Sequence, residues 1–162
     1  MTFPLSARPA LSDLVHRYAA HIDDRQFDSA AALFTSTAEL RLPDPPAALE
    51  PVHTHRGHRA IAAAVAAVAH TVRTEHAIVG EVYDEPFDHD YDDGVRSDLA
   101  CGRITCIAHH WTQRSAELVD VVWHLRYDDE YQLADGGWRI RSRALTINAI
   151  EVRPVRRLLR RD

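Results

Sequence analysis

The sequence predicts an α+β fold: three helices gathered in the N-terminal half, then long antiparallel strands whose sheet has one face for those helices to cover. Two observations carry this. Apolar residues recur at helical spacing up to about residue 70 and alternate from residue 74 onward. Turn-forming residues then separate the last alternating runs from one another. If such a sheet curls strongly, its concave face becomes a pocket.

Each element follows in chain order. Residues Ser12 to Ile22 read as an amphipathic helix, with Ser12 as N-cap and Leu14, Val15, Tyr18, Ala19 and Ile22 on one stripe. Asp23, Asp24 and Arg25 interrupt it. A second short helix follows, with Asp28 as its cap before SAAALF. The segment AELRL reads as a short strand, ended by the proline-rich stretch Pro43 to Pro51. The alanine-rich run HRAIAAAVAAVAH, opening near Gly57, reads as a third helix. Residues 74–83 read as a strand, and 84–94 as an acidic loop. Three long strands complete the chain: Leu99 to Thr112, Ala116 to Gln132, and Trp138 to Val152. The last two are joined by LADGGW, where Asp135, Gly136 and Gly137 supply hairpin backbone angles.

Composition excludes several function classes. The net charge is −5, with no concentrated basic face of the kind nucleic-acid binding needs. All 19 basic residues are arginine, so lysine Schiff-base chemistry is impossible. Cys101 and Cys106 lie five apart in one predicted strand and point to opposite faces, which argues against a disulfide. Free thiols, no secretory leader and no apolar run long enough to span a membrane predict a soluble, cytoplasmic protein. His53, His55 and His58 match no metal motif, and the acidic loop fails as a calcium loop because its glycine and twelfth position are wrong.

Four segments taken together resemble one family. YAAHIDDRQFDSAAALF, TEHAIVG, CGRITCIAHHW and RYDDEYQLADGGWRIRSR occur in the order found in the SnoaL-like, nuclear transport factor 2-like (cystatin-like) superfamily, over Leu11 to Val152. The resemblance implies a cone-shaped curved mixed or antiparallel sheet packed against three N-terminal helices, an α+β barrel. It implies one domain over residues 1–152 with a basic tail over 153–162. The scytalone dehydratase, hexachlorocyclohexane dehydrochlorinase and bile-acid dehydratase branches use a buried His–Asp pair to remove a proton as a leaving group departs.

Carried over residue by residue, the resemblance implies that Asp23, followed by Phe27 and Asp28, is the family aspartate. His76, in a Thr-x-His segment, is the base, and His110, eight residues after Gly102, is the second histidine. Arg143 lies five residues after Trp138, and Tyr18 five before Asp23, as in related enzymes. The matching positions for two water-positioning tyrosines of the scytalone branch are Ile22 and Leu42, and the family asparagine falls on Tyr127, so the substrate differs.

The residue types suit the chemistry. A neutral imidazole is a competent base near pH 7, and a carboxylate on its other nitrogen fixes the tautomer. That arrangement requires contact at ~2.6–3.2 Å. Local pattern leaves choices open. Asp23 also reads as a helix cap, and His76 as a core histidine. His109 and His110 point oppositely, with Cys106, Ala108 and His110 forming the face of small residues. Arg143 shares parity with Arg139 and Arg141, a solvent-facing row unless the strand bulges. Tyr127, on the face of Trp123 and Leu125, reads as core or as pocket wall.

The function these observations predict is a cofactor-independent, metal-free lyase of dehydratase type, or an isomerase or cyclase. Its substrate is small and apolar, of a class that includes polycyclic, polyketide-like and steroid-like molecules. Asp23, His76, His110, Tyr18 and Arg143 would carry the chemistry; Tyr127, Cys106, Ala108, Leu42 and Trp123 would line the substrate site. The alternatives are a non-catalytic ligand-binding module, or an accessory subunit docking through its tail. The resemblance implies a homodimer or homotrimer.

Overall fold

The computed structural model describes residues 6–85 and 98–159. Helix α1 spans Arg8–Asp23 and buries Leu11, Leu14, Val15, Tyr18, Ala19 and Ile22, the predicted stripe extended by one turn. It starts earlier than Ser12 because Pro9 sits in its first turn, where a missing N–H costs nothing. Ser12 is therefore not the cap: Ala7 holds that position, and the Ser12 hydroxyl instead donates to Glu81 at 3.2 Å. Helix α2 spans Phe27–Ala32. Its cap position is Gln26, so Asp28 lies inside the first turn rather than capping it.

Strand β1 runs Phe34–Asp44, longer than the segment AELRL. The largest correction follows it. The proline-rich stretch is not simply a strand terminator, because Ala48–Arg56 forms strand β2, antiparallel to β1 in the register Leu40↔His55 and Leu42↔His53. Pro51 is tolerated because β2 is an edge strand, where one missing N–H breaks no central ladder. Helix α3 covers Gly57–Val65, and the remaining Ala66–His70 tightens into a 3₁₀ turn, so only part of the alanine-rich run is α-helical.

Strands β3 (Arg73–Asp84), β4 (Leu99–Arg114), β5 (Glu117–Ala134) and β6 (Gly137–Pro154) complete the fold. The acidic segment beyond Glu85 and the end of the tail fall outside the described residues. The β5–β6 turn places Asp135 at φ 47° and Gly136 at φ 80°, the left-handed pair that a two-residue hairpin demands.

Among the described residues, six strands form one open mixed sheet in the order β2-β1-β6-β5-β4-β3. The β1–β6 pairing is parallel and the others antiparallel. The sheet's pairing has five register shifts, and three of them each leave a single residue out of the ladder: Val79, Arg141 and Asn148. The shift at Arg141 matters most. It resets the alternation of β6, so that Ile140 and Arg143 both turn inward and the predicted solvent-facing row of Arg139, Arg141 and Arg143 does not form. The concave face presents Ile104, Cys106, Ala108, Leu125, Tyr127, Leu145 and Ile147 to the helices, which supply Leu11, Leu14, Val15, Tyr18, Ile22 and Ile61. Fully burying each leucine, isoleucine or valine among them contributes about 1.5–3 kcal/mol.

Candidate active site

Asp23 is the last residue of α1, and its carboxylate turns from the helix end toward β3. There it accepts three hydrogen bonds. His76 Nδ1–H donates to Oδ1 at 2.7 Å, the Thr74 hydroxyl donates to the same oxygen at 2.9 Å, and the His76 backbone N–H donates to Oδ2 at 2.9 Å. The alternation of β3 explains the set. Thr74 and His76 are two apart and both face inward, opposite His110 and Ala108 of β4. The Asp23–His76 distance falls within the contact range expected above, and the His76 side chain is only 8% exposed.

Burial of the Asp23 carboxyl works against its charge. The hydrogen bonds and positive end of His76, with the Thr74 hydroxyl, outweigh that and hold it below the usual carboxylate range. With Nδ1–H committed to Asp23, the Nε2 lone pair of His76 is left as the ring's basic site.

His110, and not His109, faces inward. It is 6% exposed, its ring lies 5.9 Å from that of His76, and it packs 4.5 Å from Trp123. His110 Nδ1–H donates to the Val121 carbonyl at 3.0 Å. Burial first, then the neighbouring His76, pushes its pKa down to about 4. It is therefore neutral at pH 7 and presents Nε2 as an acceptor. His109 lies on the opposite face, where its Nδ1 meets Asp120 at 2.6 Å and its ring stacks on Trp111.

Further along the concave face lies a second polar group. Arg143 is fully buried and clamps Asp129 with Nε–Oδ1 at 2.8 Å and Nη2–Oδ2 at 2.6 Å, while Tyr131 donates to the same carboxylate. Its guanidinium carbon sits 4.3 Å from the ring centroids of both Tyr18 and Tyr127. Among the described residues, Nη1 has no hydrogen-bond partner. Burial opposes the Arg143 charge, but Asp129 more than compensates and keeps it protonated. Burial also raises both Tyr18 and Tyr127, so both phenols remain neutral. Cys106, between the two polar groups, is pushed up to about 12 by burial. Leu42 packs at the margin of the core.

The fold thus brings Asp23, His76 and His110 together at one end of the concave face, and Tyr18, Tyr127 and Arg143 at the other. A cavity of about 640 Å³ opens at Asp23 and Thr74 and is lined also by Arg25, Arg73, Gln113 and Leu158, among others. The histidines of HRGH and its upstream HTH do not converge: His58 donates to the Phe34 carbonyl at 2.9 Å. Among the described residues, no three histidine, cysteine or acidic side chains are placed to hold a metal ion.

Sequence reasoning missed three contributors. Asp129 shares strand parity with Tyr127, so a charged residue facing inward was visible there and called for a cation. Thr74 shares parity with His76. Arg25 carried no such signal, because it lies beyond the end of a helix where side-chain direction is not set by periodicity.

A profile of the SnoaL-like domain family matches residues 4–144. No curated protein matches the chain in sequence. Solved structures share its fold at low identity. A candidate scytalone dehydratase from Novosphingobium aromaticivorans superposes with a TM-score of 0.72 at 20% identity, covering 94% of this chain and 91% of that one. A hexachlorocyclohexane dehydrochlorinase, LinA type 3 from Novosphingobium barchaimii, gives 0.70 at 18% identity, covering 95% and 93%. A protein from Kribbella flavida gives 0.69 at 23%, covering 90% and 93%.

Proposed function

The chain belongs to the SnoaL-like domain family, and from that premise we propose that it is a cofactor-independent lyase that eliminates water by proton transfer, with His76 as base and Asp23 as its orienting carboxylate. The observation that carries this reading is the 2.7 Å contact between His76 Nδ1 and Asp23 Oδ1, made inside the fold by a carboxylate held ionised. A structural histidine needs one acceptor; three donors converging on its partner carboxylate suit a group that must stabilise an imidazolium as it forms.

In the proposed reaction, Nε2 of His76 takes a proton from carbon beside a carbonyl. The electron pair of that C–H bond becomes the new C=C bond, and the C–O bond to the adjacent hydroxyl breaks. The proton on His76 passes to the departing oxygen, giving water and restoring the neutral base. His110, neutral and without a hydrogen on Nε2, accepts a hydrogen bond from the substrate hydroxyl and positions it. The neutral Tyr18 phenol and the unpartnered Nη1 of Arg143 can donate to the carbonyl oxygen, where negative charge develops. Tyr127, Cys106 and Ala108 in the core, with Leu42 and Trp123 packed against it, would favour a small, mostly apolar, ring-containing substrate. The dehydratase and dehydrochlorinase assignments of the structural neighbours support elimination over other proton-transfer reactions.

The test is a panel of cyclic β-hydroxy ketones incubated in deuterium oxide. Wild-type protein is expected to release water from, or exchange the α-proton of, at least one member. A panel that is bound but neither dehydrated nor exchanged would instead favour a ligand-binding module.

A further inference from the structure

Arg25 is the residue on which we infer that the orientation of Asp23 depends: its guanidinium fixes the hydroxyls of Thr71 and Thr74 and thereby aims the Thr74 proton at the Asp23 carboxylate. The inference rests on the reading of Asp23 as the orienting carboxylate of His76, and adds a positioning residue to it.

The hydrogen-bond directions carry the argument. A threonine hydroxyl has one proton to give and two lone pairs to fill. Thr74 Oγ1 gives its proton to Asp23 Oδ1 at 2.9 Å and accepts from Arg25 Nη1 at 3.2 Å. Thr71 Oγ1 gives its proton to the Val68 carbonyl at 2.7 Å and accepts from Arg25 Nη2 at 2.8 Å. The same nitrogen also donates to the Thr71 carbonyl at 3.3 Å. With Arg25 donating to both hydroxyls, neither can rotate to use its proton elsewhere, and each donor in the chain polarises the next. Both threonines are buried, so water does not substitute easily for the guanidinium.

A second, independent observation lies in the backbone. Arg25 sits at φ 61°, left-handed, directly after α1. Glycine is the usual occupant of such a position because any Cβ is strained there. A non-glycine residue kept at a left-handed position points to a use for its side chain. Here the turn swings the Arg25 side chain back under the 3₁₀ turn and the start of β3, where Thr71 and Thr74 lie. Other charged groups lining the same cavity are Asp24, Arg73 and Glu75.

The test reads the pair itself and needs no substrate. Arg25→Gly removes the guanidinium and relieves the backbone. In full-length protein, carboxyl carbon NMR follows Asp23 and the His76 Nδ1–H resonance reports its exchange with water. The expected result is an Asp23 midpoint raised by about one unit, a tenfold weaker hold on its charge, with faster exchange of the His76 proton and a melting temperature no lower than wild type. Arg25→Lys returns the charge without the two-pronged donor and is expected to restore only part of the shift; it is read in the same way should the glycine variant fold poorly. An unchanged Asp23 midpoint, or full restoration by lysine, overturns the inference. Turnover is not measured, so this result and the assignment of His76 as base fail independently.

Discussion

Arg143 and Asp129 meet as a two-pronged ion pair in which neither side chain has any exposure. A charge pair removed this completely from water gains little net stability over an apolar pair of the same volume, but losing one partner strands the other. Arg143→Leu is therefore expected to cost about 3–5 kcal/mol. The double variant Arg143→Leu with Asp129→Leu should recover most of that loss, as measured by urea denaturation. Equal losses in the single and double variants would show that Asp129 is satisfied without Arg143.

Acid destabilises the fold through His110. A histidine whose pKa falls from about 6.5 unfolded to about 4 folded binds its proton more readily when unfolded. The contribution of His110 is thus intact above pH 6.5 and is lost as pH falls from there toward 4. The loss amounts to about 3 kcal/mol. Asp23, held below its ordinary value, adds a second loss at lower pH, as the solution falls through its folded pKa. His110→Gln keeps a donor for the Val121 carbonyl and should flatten the stability profile between pH 6.5 and 4. A profile identical to wild type would contradict the burial assigned to His110.

Gly102 marks a close approach. A Cβ there would lie 2.9 Å from Tyr131 Cε2, 3.1 Å from its hydroxyl and 3.2 Å from Tyr83 Cδ1. Tyr131 also donates to Asp129, so it cannot retreat without loosening the Arg143 pair. Gly102→Ala is expected to destabilise by about 1–3 kcal/mol, checked by thermal or urea melts. A neutral result would mean that Tyr131 moves freely.

The two cysteines should differ sharply. Cys106 is buried with its thiol pushed up to about 12, whereas Cys101 is partly exposed on the other face. Reaction depends on the thiolate and on access. Iodoacetamide is expected to spare Cys106 in the folded protein and label both thiols in urea, read by peptide mass spectrometry. Rapid labelling of native Cys106 would show that the concave face opens to solvent.

Much of this was legible in the sequence, for identifiable reasons. The stripe of α1, the alternation of β3 to β5 and the Asp135–Gly136 turn are local patterns, and local patterns survive without knowledge of the fold. The pairing of Asp23 with His76 came from family resemblance, since no spacing rule joins a helix end to a strand 53 residues later. Strand β2 was hidden by prolines that an edge position tolerates. Arg143 was misaligned by simple parity, because the extra residue Arg141 resets the alternation and nothing local announces it. Asp129 could have been found: it stands two residues from Tyr127 on the same face, next to no cation of its own strand.

In the proposed mechanism His76, held by Asp23, moves the proton. The most direct measurement is kcat for wild type, His76→Ala and Asp23→Asn on one accepted substrate, with folding of each variant checked by circular dichroism. Loss of a general base is expected to lower kcat by about 10²–10⁴-fold, and the asparagine variant should fall similarly by favouring the wrong tautomer. Turnover by His76→Ala at the wild-type rate would contradict the claim.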